Sequence, residues 1–393
     1  MTASSIAMIE TPQTLTGVCE RVARSTHVAL DTEFHTERTY APRLMVLQLA
    51  FEDGAAIVDP LAVSDLRPLL EALGGVTVVG HALSSDLKIF ADRYDVVPPH
   101  VFDTQVAAAF LGYGMQISLA DLVRELESVR LAKSQTVSDW STRPLTPRQL
   151  EYLVDDVAHL LPMHEKLTAR LEKAGRLQWA LEECAPLGEI ERYRSDERRA
   201  YLRIPGAMRM NRRELAVLAE IVRLRDQQAR SRDLPPKYII PDDVVSGLAT
   251  LRPKRVEELD QLRRLDAGVR RSLGRSIIEA VARAEALPDD ALPERPQRPL
   301  GQSRDTLAAL MGVVVGEIAR ENELPQSLLV PRAALERVAR EAPGDRAAFD
   351  RVLELSQWRL GLVGDPLWRL LSGEVRIAIE GYAQRDPKIH LLP

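Results

Sequence analysis

Cysteine is nearly absent: the 393 residues hold two, Cys19 and Cys184, with no ligand-like or redox spacing between them. That argues against a disulfide framework or a thiolate zinc site and suits a reduced intracellular protein. Long apolar runs are missing as well. No stretch reaches the roughly 18 apolar residues a membrane span needs, and the N-terminus, MTASSIAMIETPQTL, lacks a basic start followed by an apolar segment. A soluble, cytoplasmic protein is expected. Strand-like runs also fade after residue 190, where the pattern becomes helical with charged faces.

What is present implies more than one unit. At a prior of roughly 150 residues per domain the length suggests two or three domains, and 45% hydrophobic content is enough to build their cores. The net charge of −5 hides an asymmetry. Residues 1–190 carry 16 Lys and Arg against 26 Asp and Glu, whereas residues 191–286 carry 22 against 15. An acidic front joined to a basic middle suits a cation-loaded catalytic unit tethered to a module that holds a polyanion, although solvated Arg-rich helices give the same totals.

The first half alternates strand and helix signals. His27–Phe34, Leu44–Phe51 and Ala55–Val58 read as a meander of short strands, and Val76–Val79 as a fourth strand closed by Gly80. Ser84 or Ser85 is expected to cap a following helix with Asp86 in its first turn, just past a buried strand end where open α/β sheets bind ligands. Helices are expected around 104–111 and 118–126. Thr146 and Pro147 form an N-cap and N1 pair for a helix that Pro162 is expected to kink. In the second half, Arg230–Pro235 with Ile240-Pro241 matches Arg320–Pro325 with Val330-Pro331 at an offset of 90 residues, and the Pro-rich stretch LPDDALPERPQRPLGQ lies between the copies as an extended linker.

Chemistry concentrates in three places. Asp31 and Glu33 in VALDTEF lie two apart in a strand pattern and so share one face of it. Asp86 lies in GHALSSDLKIF, and Tyr152 and Asp156 in EYLVDDVAHLL lie four apart on one helical face. Carboxylates brought together raise one another's pKa unless cations neutralise them. Two hard divalent ions would do so, and two-metal phosphodiester hydrolysis needs such a clamp. Taken singly, each motif has an ordinary reading: an acid at a strand end, a charge near a helix N-terminus, a solvated surface pair. His81, His159, Lys133, Gln135 and Trp140 are weaker candidates for contact with a phosphate or base. Trp140 is also a natural core anchor, Gln48 is read as satisfying a buried hydrogen bond, and Asp155 as a charge neighbour of Asp156.

The segments DTEFHTERTYAPRLMVLQLA, GHALSSDLKIF and SDWSTRPLTPRQLEYLVDDVAHLLPM resemble the three exonuclease motifs of the ribonuclease D family, whose sites combine four acids and a tyrosine. The resemblance implies an α/β ribonuclease H-like exonuclease domain with a mixed sheet over 1–190. Two small all-α domains similar to the helicase-and-ribonuclease-D C-terminal (HRDC) domain would occupy 191–287 and 303–393, with a linker over 288–302. It also implies two Mg or Mn ions, with Asp31 bridging both. Glu33 and Asp156 would complete the nucleophile side, Asp86 would support the second ion and Tyr152 would place the attacking water. The expected activity is 3′ to 5′ exoribonuclease on RNA with a free 3′ end, transfer-RNA precursors foremost, releasing nucleoside 5′-monophosphates. A DNA 3′ to 5′ exonuclease, or an RNA-binding protein with a vestigial nuclease domain, would carry similar features.

Overall fold

The computed structural model describes residues 6–35, 39–131, 139–194, 197–295, 300–383 and 388–392. The first part is a six-stranded mixed sheet built from β1 (Ile6–Ile9), β2 (His27–His35), β3 (Arg43–Phe51), β4 (Gly54–Val58), β5 (Thr77–Gly80) and β6 (Val101–Asp103), in the order β1-β4-β3-β2-β5-β6. β2, β3 and β4 form the expected antiparallel meander, while β1 joins β4, and β5 and β6 extend β2, in parallel. β1 and β6 escape the sequence pattern because runs of four and three residues are too short to show a period.

One face of the sheet is packed by α1 (Pro12–Ala23), α2 (Arg67–Ala72) and α3 (Ser84–Tyr94), through a core that includes Val28, Leu30, Leu69, Leu87 and Phe90. The other carries the remaining helices, α4 (Thr104–Ala109), α5 (Leu119–Glu127), α6 (Pro147–Ala158), α7 (Leu160–Lys173) and α8 (Leu177–Cys184). Neither serine caps α3. Its N-terminal turn is tied instead by the buried Asp103 carboxylate, which accepts from the backbone of Ala82 at 3.0 Å and Leu83 at 2.9 Å. Pro162 does not kink a continuous helix, because α6 has already ended and α7 begins beyond His159.

The second half holds two helical bundles whose elements repeat with a constant offset of 90 residues. α9 (Arg212–Arg232), α10 (Pro236–Ile239), α11 (Asp242–Leu251) and α12 (Ala267–Glu285) begin where α13 (Gln302–Glu321), α14 (Gln326–Leu329), α15 (Arg332–Glu341) and α17 (Gln357–Leu371) begin 90 positions later. α16 (Arg346–Leu353) lies 90 positions after a 3-10 turn at Val256–Gln261. The structure departs from an all-α end: β7 (Arg376–Glu380) and β8 (Lys388–Leu392) form an antiparallel hairpin whose charged termini hide its alternation in the sequence.

The bundles attach differently. The first keeps its own core and meets the β2–β3 loop at Tyr40, whose hydroxyl accepts from Arg230 Nε at 2.9 Å and whose backbone N–H donates to Asp233 at 3.1 Å. The second shares one continuous core with the back of the sheet domain, in which Phe110 and Leu167 pack with Met311, Phe349 and Leu367. Trp358 stacks on Trp179 with ring centroids 4.7 Å apart, Arg359 pairs with Glu183, and Arg176 donates to the carbonyls of Phe110 and Asn322.

Candidate active site

β2 presents Asp31 and Glu33 on the face covered by α6 and α7, with Thr32 between them on the opposite face. α6 lies across β2, β3 and β4. Its start is fixed by Pro147 at N1 and by a capping box in which Thr146 accepts from the Gln149 backbone and Gln149 accepts from that of Thr146, a device worth about 1 kcal/mol. Tyr152 and Asp156 then share the helical face turned toward Asp31 and Glu33. Asp86, 6% exposed, reaches the same acids from α3, where it accepts a hydrogen bond from the Thr32 hydroxyl. The five residues singled out from sequence are therefore brought together. Asp155 stays apart, beside Glu151 and His159.

Electrostatics confirm the crowding. Burial pushes Asp31 well above the usual carboxylate range, and the charges of Asp86, Asp156 and Glu33 push it further. Burial, with Asp156 and Asp86 nearby, raises Glu33 to about 8, against a partial offset from the Tyr152 hydroxyl. Asp86 and Asp156 each rise to about 6, chiefly through burial; Thr32 opposes the shift at Asp86 and Tyr152 at Asp156. Tyr152 is pushed upward by burial and by the acids around it, so its hydroxyl stays protonated. Among the described residues, no group of three or more His, Cys, Asp or Glu side chains is placed to hold a metal ion. The donor set still fits hard divalent cations: it is all carboxylate, and its ionised form lacks positive charge.

A supporting layer emerges that the sequence did not reveal. Arg143 grips the buried Asp59 with two bonds of 2.5 and 2.9 Å and donates to the carbonyls of Trp140 at 2.7 Å and Met45 at 2.8 Å. This seats the 139–146 loop on the ends of β3 and β4. Trp140 is thereby held behind Tyr152, with ring centroids 5.7 Å apart. At 2% exposure Trp140 is a core anchor and offers no face to a base. His81 is likewise structural, since Nδ1 meets the Thr104 hydroxyl and Nε2 the Ile117 carbonyl, both at 2.9 Å. His159 pairs with Glu127 at 2.6 Å. Lys133 and Gln135 lie outside the described residues. Gln48 departs from expectation: it is fully buried, yet neither amide atom has a hydrogen-bond partner among the described residues, a deficit of about 1–3 kcal/mol per group.

In the first helical bundle many arginines are paired in place, which leaves the net excess unchanged but ties up individual side chains. Arg223 and Arg283 share Glu220, Arg225 pairs with Asp242, Arg252 with Glu285, and Arg264 with Asp243. Which arginines remain available to a polyanion is therefore set by these pairings and not by the count of basic residues.

Fold and site together define a 3′ to 5′ exonuclease with an appended helical module: residues 6–172 match the family model of the 3′-5′ exonuclease domain and residues 214–281 that of the HRDC domain. Ribonuclease D of Acidiphilium cryptum is 36% identical over 381 residues, covering 95% of each chain, and that of Escherichia coli is 36% identical over 289 residues, covering 73% of this chain and 77% of the relative. The crystal structure of Escherichia coli RNase D, described as an exoribonuclease involved in structured RNA processing, superposes with a TM-score of 0.83 at 31% identity, covering 94% of this chain and 99% of that one. This chain belongs to the ribonuclease D family. It is a metal-dependent 3′ to 5′ exoribonuclease with a ribonuclease H-like catalytic domain and a C-terminal HRDC domain. No described helix is long and apolar enough to cross a membrane.

Proposed function

We propose that Asp31, Glu33, Asp86 and Asp156 hold two divalent ions, magnesium or manganese, and that the enzyme trims the 3′ ends of transfer-RNA precursors and other stable RNAs in the cytoplasm, releasing nucleoside 5′-monophosphates. The observation that carries this reading is the gathering of four carboxylates, every one with a raised pKa, beside one protonated tyrosine. Buried acids that repel one another call for cations to complete them. Bound ions of this kind supply an activated water and offset the charge that develops on the leaving oxygen.

The chain's own residues do the rest. Asp31 would hold both ions, Glu33 and Asp156 would hold the one on the nucleophile side, and Asp86, anchored by Thr32, would hold the one on the leaving-group side. Tyr152 orients the attacking water, since its neutral hydroxyl both donates and accepts; its raised pKa rules it out as the base at working pH. Trp140 backs the Tyr152 ring and limits its swing. Structured RNA as substrate draws support from the description of the Escherichia coli relative.

The proposal divides the chain into the exonuclease at 1–190, a first HRDC domain at 191–287, a linker at 288–302 and a second HRDC copy at 303–393. Support for the second copy comes from the 90-residue register of its helices. We assign RNA guidance to the first copy and bracing of the nuclease to the second, whose core is continuous with it. Digestion of a 3′-extended transfer-RNA precursor with magnesium, manganese or chelator tests the reading. Shortening by single nucleotides to the mature end, with 5′-mononucleotide products and arrest by chelator, is expected. Indifference to chelator, or turnover by Asp31→Asn at the wild-type rate, would overturn it.

A further inference from the structure

The Gln48 amide, without a hydrogen-bond partner among the described residues, stands beside the proposed metal-holding carboxylate of Asp31 on the adjacent strand. In the sheet register Gln48 on β3 stands opposite Asp31 on β2 and opposite Ile57 on β4. Directly opposed residues project to the same face with Cβ atoms about 4.5–5.5 Å apart. Its neighbours two positions along β3 on that face are Val46 and Ala50. Of these four in-sheet neighbours Asp31 alone is polar. Glu33 stands one diagonal step away, opposite Val46. From above, α6 closes the face with Leu153 and Val154, which join Val46 and Ile57 in one apolar cluster.

A fully buried primary amide in such surroundings, with both the nitrogen and the oxygen unpaired, is poorly explained as packing, because a leucine would fill the place without unmet polar groups. We infer that Gln48 is a positioning residue for Asp31: when the site is loaded, the Gln48 amide N–H donates to the Asp31 carboxylate and fixes the rotamer in which it would hold the ions. This rests on the reading of Asp31 as a metal ligand given above. A donor behind a ligating carboxylate orients it and tunes its affinity for the ion, as outer partners do around other metal ligands. The amide is neutral, so it performs this role without adding charge to a crowded acid cluster.

The test is Mn2+ titration of RNA-free protein by electron paramagnetic resonance, alongside thermal unfolding in chelator, for wild type, Gln48→Leu and Asp31→Asn. The expected result is a Mn2+ dissociation constant at least tenfold weaker for Gln48→Leu, with a chelator-treated Tm equal to or above that of wild type. Mn2+ affinity within twofold of wild type for Gln48→Leu would overturn the inference, whatever its Tm. Asp31→Asn separates the two readings: if it too binds Mn2+ as wild type does, the assignment of Asp31 as a ligand is what fails. Should Gln48→Leu not fold, Gln48→Met removes the amide from a flexible side chain of similar length and is judged by the same criterion.

Discussion

Asp156→Asn should make the metal-free enzyme more stable while it abolishes hydrolysis. Asp156 lies near the C-terminal end of α6, where the helix dipole disfavours negative charge, and its pKa is raised from 3.8 to about 6, first by burial. A carboxyl with a raised folded-state pKa holds its proton more tightly in the folded chain. The resulting penalty is near zero well below pH 4, grows between the unfolded pKa of 3.8 and the folded value of about 6, and levels off above that. Roughly two pKa units correspond to a ceiling of about 3 kcal/mol. Asp156 is only partly buried, so solvent screening reduces this to about 1–2 kcal/mol. For a chain of 393 residues that is a rise in Tm of about 1–3 °C. Thermal unfolding in chelator at pH 3.5, 5 and 8 reads it directly: the variant's advantage should be small at pH 3.5, about half developed at pH 5 and full at pH 8. A variant less stable than wild type at pH 8, or an advantage that shrinks with pH, would refute the electrostatic reasoning.

Tyr152→Phe should lower kcat about 100-fold with little change in Mn2+ affinity or RNA binding, and equal losses in all three would contradict a water-orienting role. Arg143→Ala removes one partner of the buried Asp59 pair, so it should cost about 3–5 kcal/mol in denaturant unfolding and free the Trp140 loop to proteolysis. Trp358→Ala should expose the back of the exonuclease and cost about 3 kcal/mol or more. The same reasoning makes a chain cut near residue 290 prone to aggregate, because Phe110 and Trp179 would lose their cover; recovery of a stable monomer after that cut would contradict a bracing role.

The chemistry was more legible in the sequence than its support. Asp31 with Glu33, and Tyr152 with Asp156, were readable because strand and helix periods place residues two and four apart on one side. Asp86 was readable because it follows the apolar run that ends at Gly80. The alternation of strand and helix patterns marked an α/β first half, while the ribonuclease H-like fold came from the resemblance of the three motifs. What stayed hidden depends on contacts between residues far apart in the chain. Arg143 and Asp59 meet across 84 positions, so nothing local marks them as the clamp behind Tyr152. Trp140 fitted either a base platform or a core anchor until the fold showed which way it points. The pairing of Arg225 with Asp242, and of Arg283 with Glu220, ties up arginines that composition cannot tell from free ones. Gln48 looked like an ordinary buried amide, and only the sheet register, with Asp31 opposite and apolar residues on its other sides, shows its partner is missing.

The central claim is that the four carboxylates form a divalent-ion site, and anomalous scattering from crystals grown with Mn2+ tests it most directly. The account predicts two peaks about 3.5–4 Å apart, one among Asp31, Glu33 and Asp156 and the other between Asp31 and Asp86. Peaks elsewhere in the molecule, or none at these carboxylates at saturating Mn2+, would contradict it.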